Sequence, residues 1–323
     1  MRIQCGDSRL IYDAHACPPF SSECNLNKLK LYKESDVSFL SLNVGFGKMS
    51  SEKILPIIKR LQAFISDNSD GYHQVKTSKD ILFCQNKKIL GIAFDLEGVD
   101  ALNGDIDMLE TYYQLGVRQL LLAYNTNNLA GGGCQDDDEG LTIYGKSIVK
   151  KMNEVGIIID CSHTGYHTTF EIMENSAYPV IFSHSNTFYL CNHKRNIKDD
   201  QIKACAQTGG VIGINGIGIF LDESNKATIS KMVEHIDHVA QLVGPKHVGI
   251  GLDYVFDQNE VQEIVKNNPE IFPKEHGYHE VAIISPVQIP EIALALEKRG
   301  FLESDIRGVL GENFFRICKQ VWK

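Results

Sequence analysis

The chain has no Lys/Arg-rich tract, no CxxC pair, and no apolar run approaching the ~18 residues that a membrane span needs. Each absence removes a class of function. With a formal charge of −9 and a pI near 5.7, there is no basic face of the kind a nucleic-acid footprint requires. Neither a nucleic-acid nor a membrane partner is expected. Residues 1–7 are polar and lack an apolar h-region, and the last residues follow directly on an amphipathic segment. Neither a signal peptide nor a lipid anchor is therefore expected. The nine cysteines are scattered and odd in number, which favours reduced thiols in a cytoplasm over a disulfide framework.

Other signatures are missing too. The Gly131-Gly132-Gly133 run has no GK[ST] partner and opens no helix directly, so it is not a phosphate loop. Asp136, Asp137, Asp138 and Glu139 lack EF-hand spacing and read as a solvated acidic turn. Ser162 and Ser183 stand beside histidines without a nucleophile-elbow context. His235, His238 and His247 fall within a helix or at the start of a strand, and no role is assigned to them. No Pro/Ser-rich linker divides the chain.

What is present is alternation. Short apolar runs at 10–14, 36–44, 89–96, 117–124, 157–163, 179–184, 211–215 and 247–252 read as eight strands. Helical spacing fills the intervals at 51–65, 75–87, 108–115, 143–155, 167–176, 199–207 and 229–243, and continues at 286–298 and 304–321. Eight strands alternating with helices predict a single-domain (β/α)8 TIM barrel spanning 1–323. The long polar stretch 125–140 is more often functional than idle in such a fold.

In these barrels the active site lies at the C-terminal ends of the strands. Falling there are His15 and Cys17 after the first strand, Glu97 after the third and Tyr124 after the fourth. His163 follows the fifth, His184 the sixth and Asp253 the eighth. Taken singly, a strand-end histidine is more often a hydrogen-bonded rim residue, Glu97 a solvated carboxylate and Asp253 a helix cap. Together at one level, three imidazoles and two carboxylates suit zinc or a similar divalent ion, and a shared carboxylate would suit a two-metal hydrolase.

These residues resemble the membrane (renal) dipeptidase family, a branch of the metal-dependent amidohydrolase-like barrels. The similarity runs over nearly the whole chain through DAHACPP, DLEG, IIIDCSHTGYHTTFEI, PVIFSHSN with CNHKRNIKDDQI, VGIGLDY and GENFFRI. The paired SH blocks with the RN-x-x-DD tail are its most specific part. The resemblance implies a binuclear zinc site bridged by Glu97, one ion held by His163 and His184 and the other by His15 and Cys17. It implies that Arg195 binds a substrate carboxylate and that Asp253 handles the proton near the scissile bond. Tyr124 stands where members often carry a histidine that polarises the substrate carbonyl. A homodimer is implied on the same ground. One departure is plain: the usual His-x-Asp is here His15-Ala16-Cys17, a softer donor in place of a carboxylate.

The expected function is a zinc-dependent dipeptidase acting through metal-activated water. Two alternatives stand beside it: an amidohydrolase of another small amide or peptidyl conjugate, and a weakly active metal-binding homologue. Substrate preference is expected in 125–140 and 217–226.

Overall fold

The computed structural model describes residues 9–20, 25–278 and 281–323. Cys5 and Cys24 lie outside the described residues. Eight parallel strands form a closed ring: β1 (Tyr12–Cys17), β2 (Phe39–Phe46), β3 (Leu90–Glu97), β4 (Val117–Leu121), β5 (Ile158–Asp160), β6 (Ile181–Phe182), β7 (Val211–Ile214) and β8 (Val248–Ile250). Each pairs with the next, and Asp13 opposite Ile250 brings β8 back to β1. Helices cover the outside, giving the (β/α)8 barrel. Closure leaves no exposed edge among these eight strands.

Strand β3 shows why the sequence folds this way. All of Leu90–Glu97 is buried. Ile92, Phe94 and Leu96 pack into the cluster shared with the outer helices, whereas Ala93 packs into a second cluster. The period of two therefore puts Asp95 and Glu97 on one face of the strand. The helix Ser51–Asp67 follows from Ile54, Ile57, Ile58, Leu61 and Ile65, a buried stripe at helical spacing. At the N-terminal end of the barrel, Tyr12 stacks on Phe39 and Phe314 at 4.2 and 5.2 Å. Chemistry is thereby left to the opposite end.

Several details differ from the sequence reading. The helix read over 75–87 begins later, at Ser78, and runs to Lys87, and a short strand before it, Tyr72–Gln74, which was not anticipated, adds to β3. Thr77 and Asp80 set the helix start with a capping box. The helix Gln258–Asn267 and the short helix Gly218–Leu221 were not anticipated. Asp138 is more than a solvated acid: its carboxylate accepts from the Thr168 backbone N–H and hydroxyl in the first turn of the helix Tyr166–Asn175. Asp253 caps no helix; Asp257 caps Gln258–Asn267.

Candidate metal centre

The strand ends bring four of the expected residues onto one atom. Glu97 Oε1 is 3.3 Å from His163 Nε2, 3.3 Å from His184 Nε2 and 3.6 Å from His15 Nε2. The two Nε2 atoms of His163 and His184 are 3.0 Å apart. All four side chains are buried. Glu97 Oε1 nevertheless has no hydrogen-bond partner, a state that ordinarily costs about 1–3 kcal/mol or more for a charged group. Three ring nitrogens and an orphaned carboxylate oxygen facing one point are the arrangement a bound cation resolves.

The outward side of two of the rings decides which nitrogen is free. His163 Nδ1 donates to Asn125 Oδ1 at 2.7 Å. His184 Nδ1 meets Ser183 Oγ at 2.6 Å, and that hydroxyl in turn donates to Asp160 Oδ2. With both Nδ1 atoms carrying the proton, both Nε2 lone pairs point inward. Burial, joined by the nearby charges of Arg195 and His15, holds His163 and His184 well below the usual imidazole range, so the rings are neutral.

His15 is held differently. Its Nδ1 lies 3.1 Å from Asp95 Oδ1 but without the alignment of a hydrogen bond. Asp95 is itself fixed by Ser41 Oγ at 2.6 Å and Asn43 Nδ2 at 3.1 Å. Burial pulls the His15 pKa down, yet Asp95 and Glu97 outweigh it and lift the ring well above its usual value. Burial, with Asp253 and Asp95 beside it, raises Glu97 to about 8.

Cys17 Sγ lies 3.5 Å from His15 Nε2 and 3.5 Å from Asp253 Oδ1. Asp253 also accepts from Asn215 Nδ2 at 2.9 Å. His15, Cys17 and Asp253 thus form a second donor group adjoining His15, Glu97 and His184. The residues present fit a divalent metal. His15, Glu97, His163 and His184 would hold it, with Cys17 and Asp253 beside a second position.

Backbone strain collects at the same place. His163, Asn125 and Asp253 have φ of +61°, +59° and +57°, a left-handed conformation that non-glycine residues adopt at a cost of about 1–2 kcal/mol each. Asn125 is clamped by Gly133, where a Cβ would come within 2.2 Å of the Asn125 carbonyl. The glycine run that lacks a phosphate-loop signature therefore serves as a close approach behind the His163 anchor.

The remaining expected residues are placed around this cluster. Tyr124 stacks on His163 with ring centres 4.2 Å apart. Arg195 is buried and donates to Ser185 Oγ at 3.0 Å and to the His184 carbonyl at 2.9 Å, leaving its Nε without a partner. It lines a cleft with Lys194 and Lys198 that shares His163 with a second, apolar cleft on the Glu97 side. His235 and His247 bond to main-chain groups away from the cluster. Sequence reasoning missed Asp95, Asp160, Asn125 and Ser183 as ring-orienting groups. The readable signal was an acid inside an otherwise apolar strand, as in ILGIAFDL and IIIDCSH.

A profile of the family described as Membrane dipeptidase (Peptidase family M19) matches residues 20–323. The chain belongs to the membrane dipeptidase family. It is 30% identical over 249 residues to an uncharacterised dipeptidase of Schizosaccharomyces pombe, covering 74% of this chain and 54% of that one. The chain thus spans about half the length of that curated relative. A solved amidohydrolase from Pseudomonas aeruginosa superposes with a TM-score of 0.89 at 27% identity over 97% of each chain. A metallopeptidase from Rhodobacter sphaeroides, solved with a phosphinate mimic of the dipeptide L-Ala-D-Ala, shares the fold with a TM-score of 0.79 at 18% identity over 98% of this chain and 100% of that one. Among the described residues, no helix is long and apolar enough to cross a membrane.

Proposed function

We propose that this chain is a metal-dependent hydrolase of dipeptide-type amides, with zinc as the metal and residues 1–323 as one barrel domain. The observation that carries the reading is the unpartnered Glu97 Oε1 facing three imidazole Nε2 atoms at 3.3–3.6 Å. The nitrogen-rich donor set, with a thiol at its edge, favours zinc over magnesium or calcium. When bound, the metal supplies an activated water and a Lewis acid for the amide carbonyl.

The chain's own groups would do the rest. Asp253, held by Asn215 Nδ2 and beside Cys17, carries a proton to the leaving amine. Arg195, with its free Nε, receives the substrate carboxylate. The Tyr124 phenol keeps its proton, since burial and then Glu97 push its pKa well above the usual value. It therefore donates a hydrogen bond to the amide carbonyl. The seven described cysteines are all free, which supports a reducing compartment such as the cytoplasm. Homodimerisation rests on the family resemblance alone.

The test is hydrolysis of a panel of L-L and L-D dipeptides by zinc-loaded protein, alongside Glu97→Gln. Turnover in the wild type that Glu97→Gln abolishes is the expected result. A zinc-loaded wild type that cleaves nothing in the panel overturns the dipeptidase reading. Cys17 and Tyr124 favour a second reading, hydrolysis of a non-dipeptide amide, because both replace groups usual in the family.

A further inference from the structure

The hydrolase reading uses the metal-facing groups and Arg195 but not the apolar cleft on the Glu97 side. That cleft encloses about 950 Å³ of empty volume, counting its part open to solvent. One wall is the helix Gln258–Asn267. Its Val261, Ile264 and Val265 fall at i, i+3 and i+4, on one face, and all three line the cleft. No residue of this helix is buried. An amphipathic helix normally hides its apolar stripe against a core; here Ile264 and Val265 pack only partly against the apolar cluster around Phe220, Phe272 and Tyr278, and the stripe stays half-buried along the cleft beside the metal cluster.

A second wall is aromatic and starts at a candidate ligand. Tyr124 stacks on His163, and the rings of Phe46 and Phe272 follow at 5.3 and 6.0 Å from Tyr124. Apolar surface therefore lines the way from the cluster to the helix. Among the described residues lining the cleft, Glu97 and Asp253 are the only carboxylates, and both stand at the cluster. A charged group farther out would lose its hydration with no counter-charge to replace it. The basic residues Lys194, Arg195 and Lys198 line the other cleft, and the two clefts meet at His163.

We infer that the apolar cleft binds a large aliphatic or aromatic group on the acyl side of the scissile amide, with the carboxylate-bearing amine side toward Arg195. The preferred substrate class is then an amide joining a bulky apolar acyl or aminoacyl group to an amino acid with a free carboxylate. The assignment rests on the hydrolase reading for its orientation, but the binding it describes is separable from turnover. Val261, Ile264 and Val265 are the specificity-determining residues, since they touch the acyl group and not the reacting atoms.

The test is calorimetric titration of the full chain with ketone isosteres of N-octanoylglycine and N-acetylglycine, in which a methylene replaces the amide nitrogen. Neither can be hydrolysed. Burying most of the extra methylenes makes the octanoyl isostere bind at least about thirtyfold tighter to the wild type. In the double variant Val261→Asp/Val265→Asp the difference falls below about threefold, with the acetyl isostere unaffected. Val265 packs partly against the neighbouring apolar cluster, so the milder Val261→Asp alone gives an intermediate difference should the double variant melt early. Equal affinities in the wild type, or a difference that survives the substitutions, overturn the assignment. Hydrolysis of the two parent amides separates the readings. Selective binding with no turnover of these amides or of the dipeptide panel sinks the hydrolase and leaves the cleft assignment. Equal turnover of both amides sinks the cleft assignment and leaves the hydrolase.

Discussion

The two halves of the metal centre are built to different standards. In the β5/β6 half, His163 and His184 each have an aligned hydrogen bond behind the ring, to Asn125 and through Ser183 to Asp160. Both rings are neutral and have one nitrogen facing inward. In the β1/β8 half, His15 meets Asp95 without hydrogen-bond alignment, is drawn toward its protonated form, and has a thiol where the family usually has a carboxylate. Cation binding therefore meets a ready site on one side and one that must first shed a proton on the other. Glu97 belongs to both.

The sharpest way to break this contrast is Asp160→Asn. An amide there donates to Ser183 Oγ, so the hydroxyl turns to His184 Nδ1 and forces the ring proton onto Nε2, toward the metal. Metal affinity, followed by competition with a chelator, is expected to drop about 100-fold, the upper end for an outer-sphere change. An unchanged affinity would show that the relay does not set the tautomer. Asp95→Asn acts on the half already loosely held, and the same assay is expected to show about a tenfold loss. A loss as large as that of Asp160→Asn would erase the distinction between the halves.

Cys17→Asp tests the weaker half directly. Replacing the thiol by a carboxylate is expected to raise metal content toward about two ions per chain and to increase dipeptide turnover. Unchanged stoichiometry would show that Cys17 already serves as a full ligand. The mildest test, needing no substitution, is the pH dependence of metal uptake. Burial, with Asp253 and Asp95, lifts Glu97 from 4.5 to about 8, so over that interval the metal-free fold holds a proton that binding must displace. Apparent affinity should rise with pH by up to about tenfold per unit through the Glu97 window to about 8, and flatten only once His15 too has lost its proton. The metal-free fold itself should lose stability as pH climbs through the same window, because its protonated Glu97 is the favoured form. A flat uptake profile would show that Glu97 is ionised before the metal arrives.

Much of this was legible because barrel strands are short, apolar and closed by polar residues at one end. His15, Glu97, His163 and His184 could be placed at one level from that pattern alone, and they meet. The orienting groups were harder to read. Asp160 and Asp95 sit inside strand runs, where a single sequence does not say whether an acid faces a helix or the barrel interior, although Asp95 two residues before Glu97 carried the hint. Asn125 depends on a left-handed turn and a glycine contact from eight residues away, and no local pattern encodes that meeting. The helix Gln258–Asn267 has a readable stripe, but its place on the cleft is a tertiary fact: spacing says that Val261, Ile264 and Val265 share a side, not that the side lines a cleft.

Metal content per chain after exhaustive dialysis, compared between wild type and Glu97→Gln, tests the centre most directly. At least about one tightly held zinc is expected in the wild type and almost none in the variant, with both chains folded. A folded wild type that retains no metal, or a variant that retains as much as the wild type, would contradict that expectation.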